Sequence, residues 1–129
     1  MELVIASGVM AQILAHAAGA PASEVCGLLL RDDAGRVAAA AAANVHADPS
    51  RFFELDPGIL LAAHRRQREG GPRVIGHYHS HPGGVAEPSA HDAAAADAAS
   101  GWIWLIVADG QAAAFQVVPG GRCTGYSNA

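Results

Sequence analysis

Residues 76–92 read Gly76-His77-Tyr78-His79-Ser80-His81-Pro82-Gly83-Gly84-Val85-Ala86-Glu87-Pro88-Ser89-Ala90-His91-Asp92. Val74 to His79 has the apolar and aromatic character of a strand. Pro82 ends it, because proline has no N–H to give to a ladder. Side chains two apart on a strand point to one face, with Cα atoms about 6.6 Å apart at the usual rise. Two imidazoles at that spacing can converge on one ion about 2.0 to 2.1 Å from each nitrogen. His77, His79 and His81 share that face, and a metal would take either the His77/His79 or the His79/His81 pair. Ser89 and Asp92 open the next helix at i and i+3 and share a face of it. Asp92 could add an oxygen ligand, leaving a fourth position for water, which is the pattern of catalytic rather than structural zinc. Ser89-x-x-Asp92 also has the form of a helix capping box.

Strands and helices alternate outward from this stretch. Leu3-Val4-Ile5 reads as a short strand, and Ser7 as the cap of a helix to about Ala18, stopped by Gly19. Val25 to Leu30 is apolar throughout, as in a strand covered on both faces. Asp32-Asp33-Ala34-Gly35 is a turn, and Arg36 to Asn44 the returning strand. After an irregular loop, Phe52-Phe53-Glu54-Leu55 reads as a short strand, and a candidate edge for an extended peptide. Asp56-Pro57 starts a helix that ends near Gly70-Gly71. Ser89 opens an alanine-rich helix to Ser100-Gly101. Trp102–Val107 and Ala112–Val118 form a hairpin across Asp109-Gly110. The expected fold is α/β: a single mixed β-sheet flanked by helices. Residues 1–118 are expected to form one domain, and 119–129 a loose glycine-rich tail.

Composition narrows the function. The chain has 129 residues, 51% of them apolar and 16% charged, enough to bury a core and too apolar for a disordered protein. It has 30 alanines, 8 arginines and no lysine. The net charge is −4 and no run of like charge exceeds two residues, which argues against a nucleic-acid surface. The start has no basic n-region or long apolar h-region, and no apolar run approaches the ~20 residues of a membrane span. Two cysteines, Cys26 and Cys123, make no disulfide framework. The expectation is a soluble cytoplasmic protein. His16, His46 and His64 have no partner at ligand spacing. Cys26 reads as a small buried apolar residue, on the same strand face as Glu24. Trp102 and Trp104 read as core.

The elements taken jointly are more specific than each alone. Glu24-Val25-Cys26-Gly27-Leu28-Leu29, then His79-Ser80-His81-Pro82, then Ser89-x-x-Asp92 closely resembles the JAMM (MPN+) metalloprotease family, in its minimal prokaryotic form. That family's fold is related to the cytidine-deaminase-like fold. The resemblance implies His79, His81 and Asp92 as ligands of one zinc per chain, with water fourth. It also implies Glu24 as general acid/base and Ser89 as a stabiliser of the oxyanion. It further implies hydrolysis of an amide bond after the Gly-Gly tail of a ubiquitin-like or sulfur-carrier protein. Four rivals are weaker. A non-catalytic MPN interaction module would have lost ligands that are all present here. A RadC-like protein would carry an additional N-terminal helical region. A zinc nucleoside deaminase would need HxE and PCxxC. A cell-wall peptidase would be expected to carry a fused domain or export signal.

Overall fold

The computed structural model describes residues 3–94, 101–118 and 122–126. The apolar stretch at Val25 becomes β1 (Cys26–Arg31), and its hairpin partner is β2 (Val37–Ala42). In the turn between them, the Asp32 carboxylate accepts N–H bonds from Ala34 (3.0 Å) and Arg36 (2.8 Å), and Gly35 takes φ +82°. The stretch quoted first is β3 (Arg73–Ser80), followed by α3 (Ala90–Ala94). β4 (Ile103–Ala108) and β5 (Gln111–Val118) are joined by Asp109 and Gly110 at φ +51° and +73°. Left-handed backbone at both positions matches the right-handed twist of a tight hairpin. With β6 (Arg122–Tyr126) as the last strand, the sheet runs β2-β1-β3-β4-β5-β6, and only the β3–β4 pair is parallel.

Two helices flank the sheet. α1 (Ser7–Ala18) packs on β2 and β3, and α2 (Pro57–Arg68) packs on β3. Asp56 caps α2 by accepting the Gly58 N–H at 2.9 Å, with Pro57 at the first helical position. Gly70 at φ +94° ends it, and the Gly71 N–H reaches back to the Arg66 carbonyl at 2.8 Å. That 6→1 bond with a left-handed glycine is a Schellman stop.

Alternation along the strands divides the sheet into two faces of different chemistry. Leu29, Tyr78, Ile103, Leu105, Val107 and Ala114 point to one face and form the core with Leu3, Ile13 and Val25. Tyr78 is fully buried there, its hydroxyl 2.7 Å from His16 Nδ1 on α1. The other face carries Cys26, His77, His79, Trp104 and Ile106. The register places Cys26 beside His79 on one side, with Ile106 on the other, and His77 beside Trp104. The functional side chains therefore stand on the back of a well-packed core, and Trp104 belongs to their side of the sheet.

Four expectations are corrected. Leu3 is buried but makes only a lone bridge, so no strand forms at Leu3–Ile5; its side chain in the core is what holds it. Ser7 lies inside α1, whose cap is Ala6 with no side-chain bond. Phe52–Leu55 is not a strand: only Leu55 pairs, with Asn44, because both phenylalanine rings turn onto histidines. The tail is not loose throughout: β6 (Arg122–Tyr126) pairs antiparallel with β5. The outer edge of β5 offers unpaired N–H and C=O groups, and backbone pairing there needs no apolar pattern. The second half of the expected helix to Ser100 lies outside the described residues. No helix among the described residues is long and apolar enough to cross a membrane.

Gly76 is the tightest point of the sheet. A Cβ there would run into the backbone N, C and O of Ile103 across the parallel pair. Gly76→Ala is expected to destabilise the fold by more than about 3 kcal/mol, through overpacking against backbone that cannot yield. By contrast, Gly8→Ala on α1 meets nothing within 4 Å and should stabilise by about 0.5–1 kcal/mol. Thermal melts of the two variants check both signs.

Candidate metal centre and catalytic cleft

β3 delivers His79, His81 follows one residue past the strand's end, and α3 delivers Asp92 from its first turn. His79 Nε2 and His81 Nε2 are 3.1 Å apart. Asp92 Oδ2 is 3.1 Å from the first and 3.0 Å from the second. Protons cannot satisfy this triangle. If both imidazoles donate to the carboxylate, two N–H groups face each other; if one donates to the other, a lone pair faces the carboxylate oxygen. One cation satisfies all three atoms together, and each can lie about 2.0 to 2.1 Å from a common centre. The residues fit a metal ion.

The tautomer of His81 is set by its surroundings. Its Nδ1 lies 2.9 Å from the Val85 carbonyl. A carbonyl only accepts, so Nδ1 donates and the Nε2 lone pair faces the triangle. The His81 main-chain N–H bonds the Val107 carbonyl at 2.8 Å, which ties the backbone at His81 to β4. Asp92 is fixed by a reciprocal cap. Its N–H donates to Ser89 Oγ at 3.0 Å, and the Ser89 N–H donates to Asp92 Oδ2 at 2.9 Å. The capping box read from the sequence and the ligand geometry are one structure: the cap aims the carboxylate. Phe53 stacks on His79 at 4.3 Å between centroids with a 20° tilt, holding that ring flat.

Glu24 reaches the centre from the residue before β1. Ser80 pairs with Val25, its N–H donating to the Val25 carbonyl at 3.0 Å and its Oγ accepting the Val25 N–H at 2.9 Å. This brings a Glu24 carboxylate oxygen within 4.8 Å of ring nitrogens of both His79 and His81. Glu24, His79 and His81 lie close enough together to hold a metal ion. Asp92 nevertheless makes the shorter contacts to both histidines. Glu24 Oε1 is buried with no hydrogen-bond partner among the described residues, and so are His77 Nε2 and His79 Nδ1.

Burial pushes the Glu24 carboxyl up to about 7, His81 draws it down, and Asp92 raises it. Asp92 also feels burial, but its contacts with His79 and His81 outweigh it and hold it far below the usual carboxylate range. Burial pulls His77 down to about 3, and pulls His79 down as well. At His81 burial acts downward, but Asp92, the Val85 carbonyl and Glu24 outweigh it, so proton and metal compete for this nitrogen. Burial, then Glu24, pushes the free Cys26 thiol up to about 11, which leaves it inert.

Every site residue read from the sequence lies at or beside the centre. Of the two histidine pairs left open by strand spacing, the structure brings together His79 and His81. His77 packs against Trp104 (5.3 Å) and Phe53 (5.0 Å). His46 packs with Phe52 and His91. Sequence reasoning missed Ser80, Phe53 and Asn44. The Asn44 amide donates to the carbonyls of Glu24 (2.9 Å) and Phe52 (3.0 Å). Its Oδ1 accepts the N–H groups of His46 (3.0 Å) and Glu54 (3.1 Å). This one side chain clamps the loop to Glu24. Asn44→Ala strands four backbone groups and is expected to cost at least about 1–3 kcal/mol, measurable by denaturant titration. The signal for Asn44 was its place as the first polar residue after an alanine run.

Comparison with known proteins identifies the family. Residues 6–118 match the family described as prokaryotic homologs of the JAB domain. A Haloferax volcanii protein named Desampylase is 37% identical over 111 residues, covering 81% of this chain and 79% of that protein. The solution structure of a Desulfitobacterium hafniense protein superposes with a TM-score of 0.77 at 28% identity, over 98% of this chain and 92% of that one. With its histidine pair, aspartate and glutamate in one cleft and the match spanning nearly all of the sheet, this chain belongs to the family of prokaryotic JAB-domain homologs.

Proposed function

We propose that the protein is a zinc-dependent amide hydrolase that cuts after the C-terminal Gly-Gly tail of a small ubiquitin-like or sulfur-carrier protein. The observation that carries this reading is the triangle of His79, His81 and Asp92 with the buried, unpaired Glu24 carboxylate facing it. Two imidazoles and one carboxylate suit zinc, one per chain, and leave a position open to solvent. The name of the Haloferax relative supports the substrate class, since it denotes removal of a ubiquitin-like protein.

A zinc ion held there supplies Lewis acidity, lowering the pKa of water toward ~7 and polarising the scissile carbonyl. Glu24 takes the proton of the attacking water. Its poise near neutrality suits both halves of the cycle, and it then gives that proton to the leaving nitrogen. Ser89 Oγ accepts the Asp92 N–H, which leaves its own hydrogen free for the developing oxyanion. The C–N bond breaks, giving a terminal glycine carboxylate and a free amine. Gly-Gly in the substrate lets its backbone approach His79 and His81 without side-chain clashes. Removing metal with a chelator and adding zinc back in steps tests the reading. Hydrolysis of a Gly-Gly-linked conjugate should vanish, then return in proportion up to about one zinc per chain. Undiminished activity in stripped protein would refute it.

A further inference from the structure

The cleft in front of Glu24 has a volume of about 380 Å³ and is lined by Glu24, Ser50, Arg51, His81, Val85 and Ser89, among others. That is the lower end for small-molecule sites and leaves room for roughly one residue. Arg51 is its cation. No ion pair among the described residues takes Arg51. The guanidinium leans instead on the Phe52 ring at 5.4 Å, and that ring is packed against His91 at 4.3 Å.

The loop beneath Arg51 is tied down. The Asp48 carbonyl accepts the N–H groups of Arg51 (3.3 Å) and Phe52 (3.0 Å), and the Asp48 carboxylate is taken by the Ser50 hydroxyl at 2.7 Å. The Pro49 carbonyl accepts the N–H of Glu24 itself at 2.7 Å. The backbone that carries Arg51 is thus held beside Glu24, and both residues line the same cleft. Glu24 protonates the leaving nitrogen on the reading above, so this is the side from which the amine departs.

We propose that Arg51 binds the free carboxylate of a leaving group one residue long, so that the protein removes a single terminal amino acid in preference to cutting a lysine isopeptide bond. This rests on the amide-hydrolase reading. The chemistry separates the two leaving groups. In an α-amino acid the carboxylate lies two bonds from the nitrogen that departs, within reach of a guanidinium fork beside Glu24. In a lysine isopeptide the departing nitrogen sits at the end of a four-carbon stem, and the group beyond it is a neutral main-chain amide. Only the first offers an anion to the cation in this cleft, and Val85, 64% exposed, offers an apolar wall for its side chain.

The test uses synthetic peptides ending in Gly-Gly-Ala, as the free acid and as the C-terminal amide. Binding is measured on the zinc-loaded Glu24→Gln variant and cleavage on the wild type. The acid should bind at least about tenfold tighter than the amide, as a charge-assisted pair allows. Arg51→Gln should abolish that preference by weakening only the acid, and Arg51→Lys should restore part of it. Equal binding and cleavage of acid and amide, or an Arg51→Gln variant that weakens both alike, overturns the role of Arg51 and leaves the hydrolase reading standing. An amidated peptide with aspartate after Gly-Gly that recovers the preference also overturns it, by assigning Arg51 to a side-chain carboxylate. Failure to bind or cut any of the peptides sinks the proposal together with the reading beneath it.

Discussion

Glu24→Gln should lower turnover by roughly 10² or more while leaving zinc content and the melting temperature close to those of the wild type. Gln is nearly isosteric and keeps the main-chain bonds that Glu24 makes to Pro49 and Asn44. It cannot accept the proton of the attacking water. The fold should tolerate the change, because the Glu24 side chain has an unpaired buried oxygen in the native protein. The pH profile is a second readout. Burial raises this carboxyl to about 7, and a dication beside it would draw it down. The base is competent only when ionised, so the rate should fall as pH drops through a value at or below about 7. Glu24→Gln should remove that limb. Wild-type rates in the variant would take Glu24 out of the mechanism.

His81→Ala and Asp92→Ala should each abolish activity and lower zinc occupancy, whereas His77→Ala should retain zinc. On the proposed assignment the three atoms of the triangle are interdependent: removal of any corner leaves two donors, too few for a tight zinc site. His77 is buried and neutral, and its ring meets Trp104 and Phe53 rather than the triangle. Truncating it should cost stability through a cavity, by about 1–3 kcal/mol as for other core truncations, without taking a ligand away. Metal analysis after gel filtration separates the variants. Full zinc retention by the His81 variant, or loss by the His77 variant at normal folding, would contradict the assignment.

The sequence carried this centre unusually far because its chemistry is written in short spacings. His79 and His81 share a face by strand geometry, and Ser89 and Asp92 share one by helix geometry, so two local periods bring out the candidate ligands in two pairs. Strand spacing alone could not choose between His77 and His81, since both lie two residues from His79. The difference is made by Val85 and Asp92, which face His81 after the chain turns at Pro82. Glu24 is fifty-five residues before His79; its place depends on the β1–β3 register, invisible to local pattern.

The misses have the same cause. Phe52 and Phe53 have strand character, but their rings serve the histidines. Arg122–Tyr126 has a glycine and no alternation, yet the β5 edge recruits it by backbone bonds. Asn44 is one polar residue after alanines, and its four bonds all go to partners that only folding brings close or orients. What local period or turn chemistry decides was legible, including the Asp56 cap and the Asp109-Gly110 hairpin. What pairing across the sheet decides was not.

The most direct test of the account is the mass of a ubiquitin-like protein whose terminal glycine is joined to an amine, after incubation with the zinc-loaded protein in heavy-oxygen water. Hydrolysis at the glycine carbonyl predicts release of the carrier ending in Gly-Gly, with one heavy oxygen in its new carboxylate. A conjugate of unchanged mass, or a carrier released without the label, would contradict it.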